Sequence, residues 1–148
     1  TRLMLDYAAN VDEAIALFEE YNLYSGSSGV HYLIADASGN SAIVEFLDGK
    51  MEVVRNKDNW QVASNFNAAG SEALGEGKDR FEKANDYLKN AQGSISQEEA
   101  MTILQMVAQS HTVWSSIYNM ATGDISISVG RDYHNVFTDQ LTMKRPLQ

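Results

Sequence analysis

No cysteine occurs anywhere in the 148 residues. That excludes disulfides, thiolate metal centres and a cysteine nucleophile carried by this stretch. Positive charge is scarce as well: 11 Lys and Arg stand against 20 Asp and Glu, giving a formal charge of −9 and a pI of about 4.6. No basic patch offsets that balance, so neither nucleic acid nor an anionic membrane surface is an expected partner. The apolar runs fall far short of the roughly 20 residues that span a bilayer, so no membrane insertion is expected. Metal-ligand patterns such as HxH, HExxH or an Asp-rich calcium loop are missing, and no Gly-rich phosphate fingerprint follows a strand. The GEGKDR stretch at 75–80 is too loose to count as one. No cofactor is therefore expected. The chain opens at Thr1 with neither an initiator Met nor a charged-then-apolar leader. It reads as a piece of a longer polypeptide, which leaves the compartment open.

What is present is a globular composition, 44% hydrophobic and 21% charged. A chain of this length fits one domain or half-domain over residues 1–148. Asn10 followed by Glu13 has N-cap spacing, and Val11, Ala14, Ile15, Phe18 and Tyr21 then fall on one helical face. Ser25 to Gly29 reads as a flexible link. Four strands follow in a meander: Val30 to Ala35, Ser41 to Leu47, Met51 to Val54 and Trp60 to Ser64. Asp36-Ala37-Ser38-Gly39 punctuates the first hairpin, and Asp48-Gly49 is a type I′ signal. The first strand is apolar on both faces, which predicts that it is covered on both sides. After a loop at 65–77, helices are expected at about Asp79–Ala91 and from Ser96, whose Glu99 completes a capping box. Strands return at Thr112–Tyr118, Ile125–Val129 and Val136–Met143. Helix, strands, two helices, strands is segregated α+β organisation.

Two polar residues stand out by position. Asn65 closes an apolar run in VASNFN, and Arg80 opens the second helix after a long loop. Taken alone, turn chemistry accounts for the first and a solvated helix charge for the second. An asparagine amide can also donate to a developing oxyanion, a contribution of typically about 3–4 kcal/mol, and an arginine nearby can tune such a site. His31, His111 and His134 are scattered, and His31 reads as a core histidine.

The ordered set HYLIADASGNSAIVEF (31–46), SNF (64–66), DRF (79–81) and VWSSIYNMATGDISISVG (113–130) resembles one group. It is that of the choloylglycine hydrolase and penicillin V acylase-like enzymes with the related acyl-coenzyme A:6-aminopenicillanic acid acyltransferases. The resemblance runs over about residues 2–143, and DYAANVDEAIALFEE fits the helix ahead of the strand pair. It implies the C-terminal part of an αββα N-terminal-nucleophile hydrolase, with antiparallel sheets and helices packed outside. It implies cleavage of non-peptide linear amides by an N-terminal cysteine whose own amine is the base. Ser64-Asn65 stands where the family has threonine-asparagine, so Asn65 inherits the oxyanion role. Arg80-Phe81 matches the arginine near the nucleophile.

The nucleophile itself lies upstream of the matched part in the family. These residues are thus expected to be inactive alone and to need the N-terminal half as partner, with a homo-oligomer as a further possibility. Thr1 stands just before the first helix, far from the processing point. Bile-salt hydrolases and penicillin V acylases follow the asparagine with Asn or Ser and a proline. Here Phe66 and Asn67 follow, and the single proline is Pro146. That leaves a small-molecule acyl amide as the substrate class, with Phe66 as a candidate lining residue for its acyl part. Two expectations compete. An enzyme part predicts that Asn65 and Arg80 converge on one empty cleft and that an apolar sheet face stays open. A stand-alone interaction domain predicts a closed core.

Overall fold

A computed structural model describes residues 2–21, 30–69 and 76–143. Thr1, the expected 25–29 link, the middle of the 65–77 loop and Pro146 lie outside the described residues. The chain divides into two compact units, Thr1–Asn85 and Asp86–Gln148.

The first unit opens with α1 (Arg2–Tyr7) and α2 (Val11–Glu20). The α2 start is as expected: Asn10 is extended and its side chain accepts from Glu13 N. The helix α1 left no periodic signal because it has only six residues. Its support is an Arg2–Asp6 ion pair one turn apart and the burial of Met4.

The sheet comprises β1 (His31–Ala35), β2 (Ser41–Leu47) and β3 (Lys50–Arg55), antiparallel in the order β1-β2-β3. Asp48 and Gly49 both have positive φ, 51° and 75°, as a type I′ turn requires. Strand alternation puts Tyr32, Ile34, Ala42, Val44, Phe46, Met51 and Val53 on one face, packed against Val11, Ala14, Ile15 and Phe18 of α2 and Met4 of α1. Phe18 lies 5.0 Å from Tyr32 and 6.5 Å from Phe46, centroid to centroid. The other face presents His31, Leu33, Ile43, Glu45 and Val54.

Two expectations change. The strand covered on both faces is β2, not β1. The central strand has neighbours on both edges, whereas Leu33 on the edge strand β1 is 47% exposed. Residues 60–64 do not form a fourth strand. There the Gln61 side-chain amide takes the Val54 carbonyl at 2.8 Å, where a ladder of backbone N–H groups was expected.

Asp36 joins the hairpin to the helix layer. It is buried, and it accepts from Val11 N at the start of α2, from the Ser38 amide and hydroxyl, and from Asn40 N. The Ser38 hydroxyl and then the Val11 amide hold its pKa down, from 3.8 to about 2.

The division between the units falls within α3 (Lys78–Asn90). The second unit continues with α4 (Gln97–Met106), β4 (Trp114–Tyr118), β5 (Asp124–Val129) and β6 (Phe137–Gln140), the strands antiparallel in that order. The Ser96–Glu99 capping box is present in full. On one face of this sheet, Ser115 and Ser128 are buried as a cross-strand pair. Tyr133 bridges there from the Ser115 hydroxyl at 2.9 Å to the Leu104 carbonyl of α4. The other face carries Trp114, Tyr118, Val129 and Phe137, all more than half exposed. The molecule is α+β, as its element order predicts.

Candidate functional site

The site candidates lie within the first unit. Residues 60–69 run without a regular backbone ladder, so side chains fix the segment in place. The Trp60 indole donates to Asn85 Oδ1 of α3 at 3.1 Å. The Ser64 hydroxyl donates to the Gly77 carbonyl at 2.9 Å, and Glu76 N donates to the Asn65 carbonyl at 3.2 Å. The Phe66 ring meets Phe81 edge-on at 5.2 Å. Beyond them, the Ala68 and Ala69 amides donate to the Glu45 carboxylate of β2.

Asn65 and Arg80, fifteen residues apart in sequence, meet directly: a guanidinium N–H of Arg80 donates to Asn65 Oδ1 at 3.0 Å. Arg80 belongs to the first turn of α3, and Gly77 precedes it at φ +89. The guanidinium has no acceptor, so the amide oxygen must face it and the amide nitrogen must face away. Donation to Oδ1 also polarises the amide and strengthens its N–H as a donor. Asn65 is exposed, and among the described residues no acceptor takes its Nδ2. The arrangement is a pre-oriented N–H donor at the surface of the unit, backed by a positive charge. Phe66 is half-buried beside it.

The histidines do not join this group. His31 places Nδ1 3.3 Å from Glu45 Oε1, without hydrogen-bond alignment. No group of three potential ligands among His, Asp and Glu gathers among the described residues. No helix among them is long and apolar enough to cross a membrane.

The acyl-coenzyme A:6-aminopenicillanic acid acyl-transferase family matches residues 1–133. The chain belongs to that family. Among curated proteins, the penicillin V acylase of Pectobacterium atrosepticum is 29% identical over 113 residues, covering 59% of this chain and 30% of that protein. Among solved structures, penicillin V acylase from Agrobacterium tumefaciens superposes with a TM-score of 0.66 at 22% identity, covering 95% of this chain and 54% of that one. This acyl-transferase family member therefore has an N-terminal-nucleophile acylase fold, and it spans less than a third of the curated relative and about half of the solved one.

Two residues that the sequence did not single out bear on the segment that carries Asn65: Gly77 lies against Ser64 and Arg80, and Glu45 takes the Ala68 and Ala69 amides. A side chain at Gly77 would collide with the Ser64 hydroxyl and the Arg80 guanidinium. Glu45 stands in the middle of an apolar strand, SAIVEFL, where an isolated charge is itself a signal.

Proposed function

We propose that these residues are the oxyanion-binding part of an acyl-amide hydrolase of the N-terminal-nucleophile class. The substrate is a small molecule with a non-peptide linear amide, of the penicillin or bile-salt kind. In this reading the nucleophile, a cysteine, belongs to polypeptide outside these residues, and the 148-residue chain is inactive alone. As the thiolate adds to the amide carbonyl, negative charge gathers on the oxygen. Asn65 Nδ2–H donates to that oxygen, while Arg80 keeps the amide from rotating. The nucleophile's own α-amine, having taken the thiol proton, passes it to the leaving nitrogen, so collapse of the adduct expels a neutral amine and leaves an acyl-enzyme for water to cleave. Phe66, braced by Phe81, lines the acyl side.

The observation that carries this reading is the 3.0 Å contact from Arg80 to Asn65 Oδ1, which turns the amide N–H outward. A plain turn needs no such bond. The open face of the second sheet, with Trp114, Tyr118, Val129 and Phe137, also supports an incomplete unit over a closed interaction domain. The remaining length of an acylase-type chain is the partner of matching chemistry.

The test uses the longest encoded chain that contains these residues, assayed on penicillin V and on a bile-salt amide. Asn65→Ala is expected to lower kcat about 100–1000-fold with little change in KM, the signature of a transition-state donor. An unchanged kcat on a substrate that the parent cleaves would remove Asn65 from the site.

A further inference from the structure

Glu45 is the most deeply buried charged side chain among the described residues, at 1% exposure, and the reading above gives it no task. It sits at the middle of the central strand β2, level with His31 on β1 and Glu52 on β3, on the sheet face turned away from α2. A carboxylate so far from water costs several kcal/mol unless donors meet it. Here two do, and they are consecutive: Ala68 N donates to Oε1 at 2.7 Å and Ala69 N to Oε2 at 2.9 Å. Adjacent backbone N–H groups converging on one anion form a strong, directional tether.

We infer that Glu45 is a positioning residue for the oxyanion donor, its charge holding residues 68–69 to the sheet and so setting where Asn65 stands. The inference rests on the role proposed for Asn65. The contacts of Ser64, Asn65 and Phe66 run to the Glu76–Phe81 stretch. Those bonds alone leave the segment free to move with the start of α3. Gln61 ties it to β3 before Asn65, and Glu45 ties it to β2 after Asn65. The donor is thus bracketed between two fixed points on one sheet. The device depends on charge and not only on shape. A glutamine of equal size has one acceptor oxygen and an NH2 that only donates, so with the carboxylate's geometry kept its NH2 faces a backbone N–H and one tether is lost. A donor displaced by about 1 Å can cost about 100-fold in rate.

The experiment again takes the longest encoded chain, with Glu45→Gln, Asn65→Ala and the double variant. Glu45→Gln is expected to lower kcat about 10–100-fold with KM within about twofold. The double variant is expected to be no slower than Asn65→Ala within about twofold, because a group acting through Asn65 has nothing left to position. Hydrogen exchange at the Ala68 and Ala69 amides should speed up in Glu45→Gln while the β2 amides keep their protection. Losses that multiply in the double variant, or unchanged exchange at 68 and 69, overturn the inference. If Asn65→Ala alone leaves kcat unchanged, the oxyanion assignment fails, and the exchange measurement still judges the tether. Should Glu45→Gln not fold, Glu45→Asp keeps the charge but is one methylene short of spanning both amides. It is expected to give a reduced kcat, and parental kcat would overturn the proposal.

Discussion

A methyl group added at Gly77 meets the Ser64 hydroxyl and the Arg80 guanidinium at once, on a backbone already at φ +89. The conformation alone costs an L-residue about 1–2 kcal/mol. The collision adds a displacement of the two groups that locate Asn65. Gly49 is the natural control, since its φ is +75 and nothing lies within 4 Å of its added Cβ. Gly49→Ala should therefore lower the chain's unfolding free energy by about 1–2 kcal/mol and leave turnover alone. Gly77→Ala should cost more stability and lower kcat at least about tenfold, as a misplaced donor does. Equal behaviour of the two variants in chemical denaturation and in turnover would mean that the crowding at Gly77 is without consequence. Asn65 and Arg80 could be picked from the sequence because each closes or opens an expected element and carries a polar head group, although the strand expected before Asn65 does not form. Gly77 could not. The atoms that forbid a side chain there belong to residues 13 positions before it and 3 after it, a proximity that only the folded chain creates. Glu45 was readable as an anomaly, yet its partners are two backbone amides, which no residue type announces.

Asp36 works at the scale of elements, joining the first hairpin to the amino end of α2. Its folded-state pKa, about 2, lies below the ordinary 3.8. A depressed carboxylate adds stability above its unfolded pKa and loses it as the pH falls through the folded one. The contribution, about 2 kcal/mol at neutral pH, should therefore fade between roughly pH 4 and pH 2. Ser38→Ala removes the largest cause of the depression and should move the acid-unfolding midpoint upward, as followed by far-UV circular dichroism. A midpoint unmoved by Ser38→Ala would show that the hairpin and helix do not depend on this bond. The elements with local causes were legible: the Asp48-Gly49 turn, the Asn10 cap, the Ser96–Glu99 box and the helical stripe from Val11 to Phe18, though Tyr21, expected on that stripe, falls at the C-cap and is exposed. The misreadings have non-local causes. VHYLIA has the composition of a buried strand, but sheet order set it at an edge and gave the fully covered place to SAIVEFL. Residues 60–64 have strand composition, but side-chain bonds to Val54 and Asn85 hold that segment without a backbone ladder.

At the scale of the molecule, the β4-β5-β6 sheet leaves an apolar face open among the described residues. Each large side chain gains about 1.5–3 kcal/mol when fully buried, and four of them stand together there. Against this works a net charge of −9, whose mutual repulsion is screened by salt. The 148-residue chain by itself should therefore associate with copies of itself, more so in 0.5 M salt than at low salt. Trp114→Glu with Phe137→Glu should return it to a monomer in sedimentation velocity. A monodisperse parent chain at high salt would count against an open face. The α+β class and the order of elements were legible because periodicity and caps are written locally. The two tryptophans turn the open face and the site segment into something visible. Trp114 stands on the open face, 64% exposed, whereas Trp60 is half-buried with its indole bonded to Asn85. Their emission reports different events: a blue shift of Trp114 marks the covering of the sheet, and a red shift of Trp60 marks the loosening of the segment that carries Asn65. Replacing either one by phenylalanine gives the molecule a single-colour gauge of assembly or of site integrity, readable without any substrate.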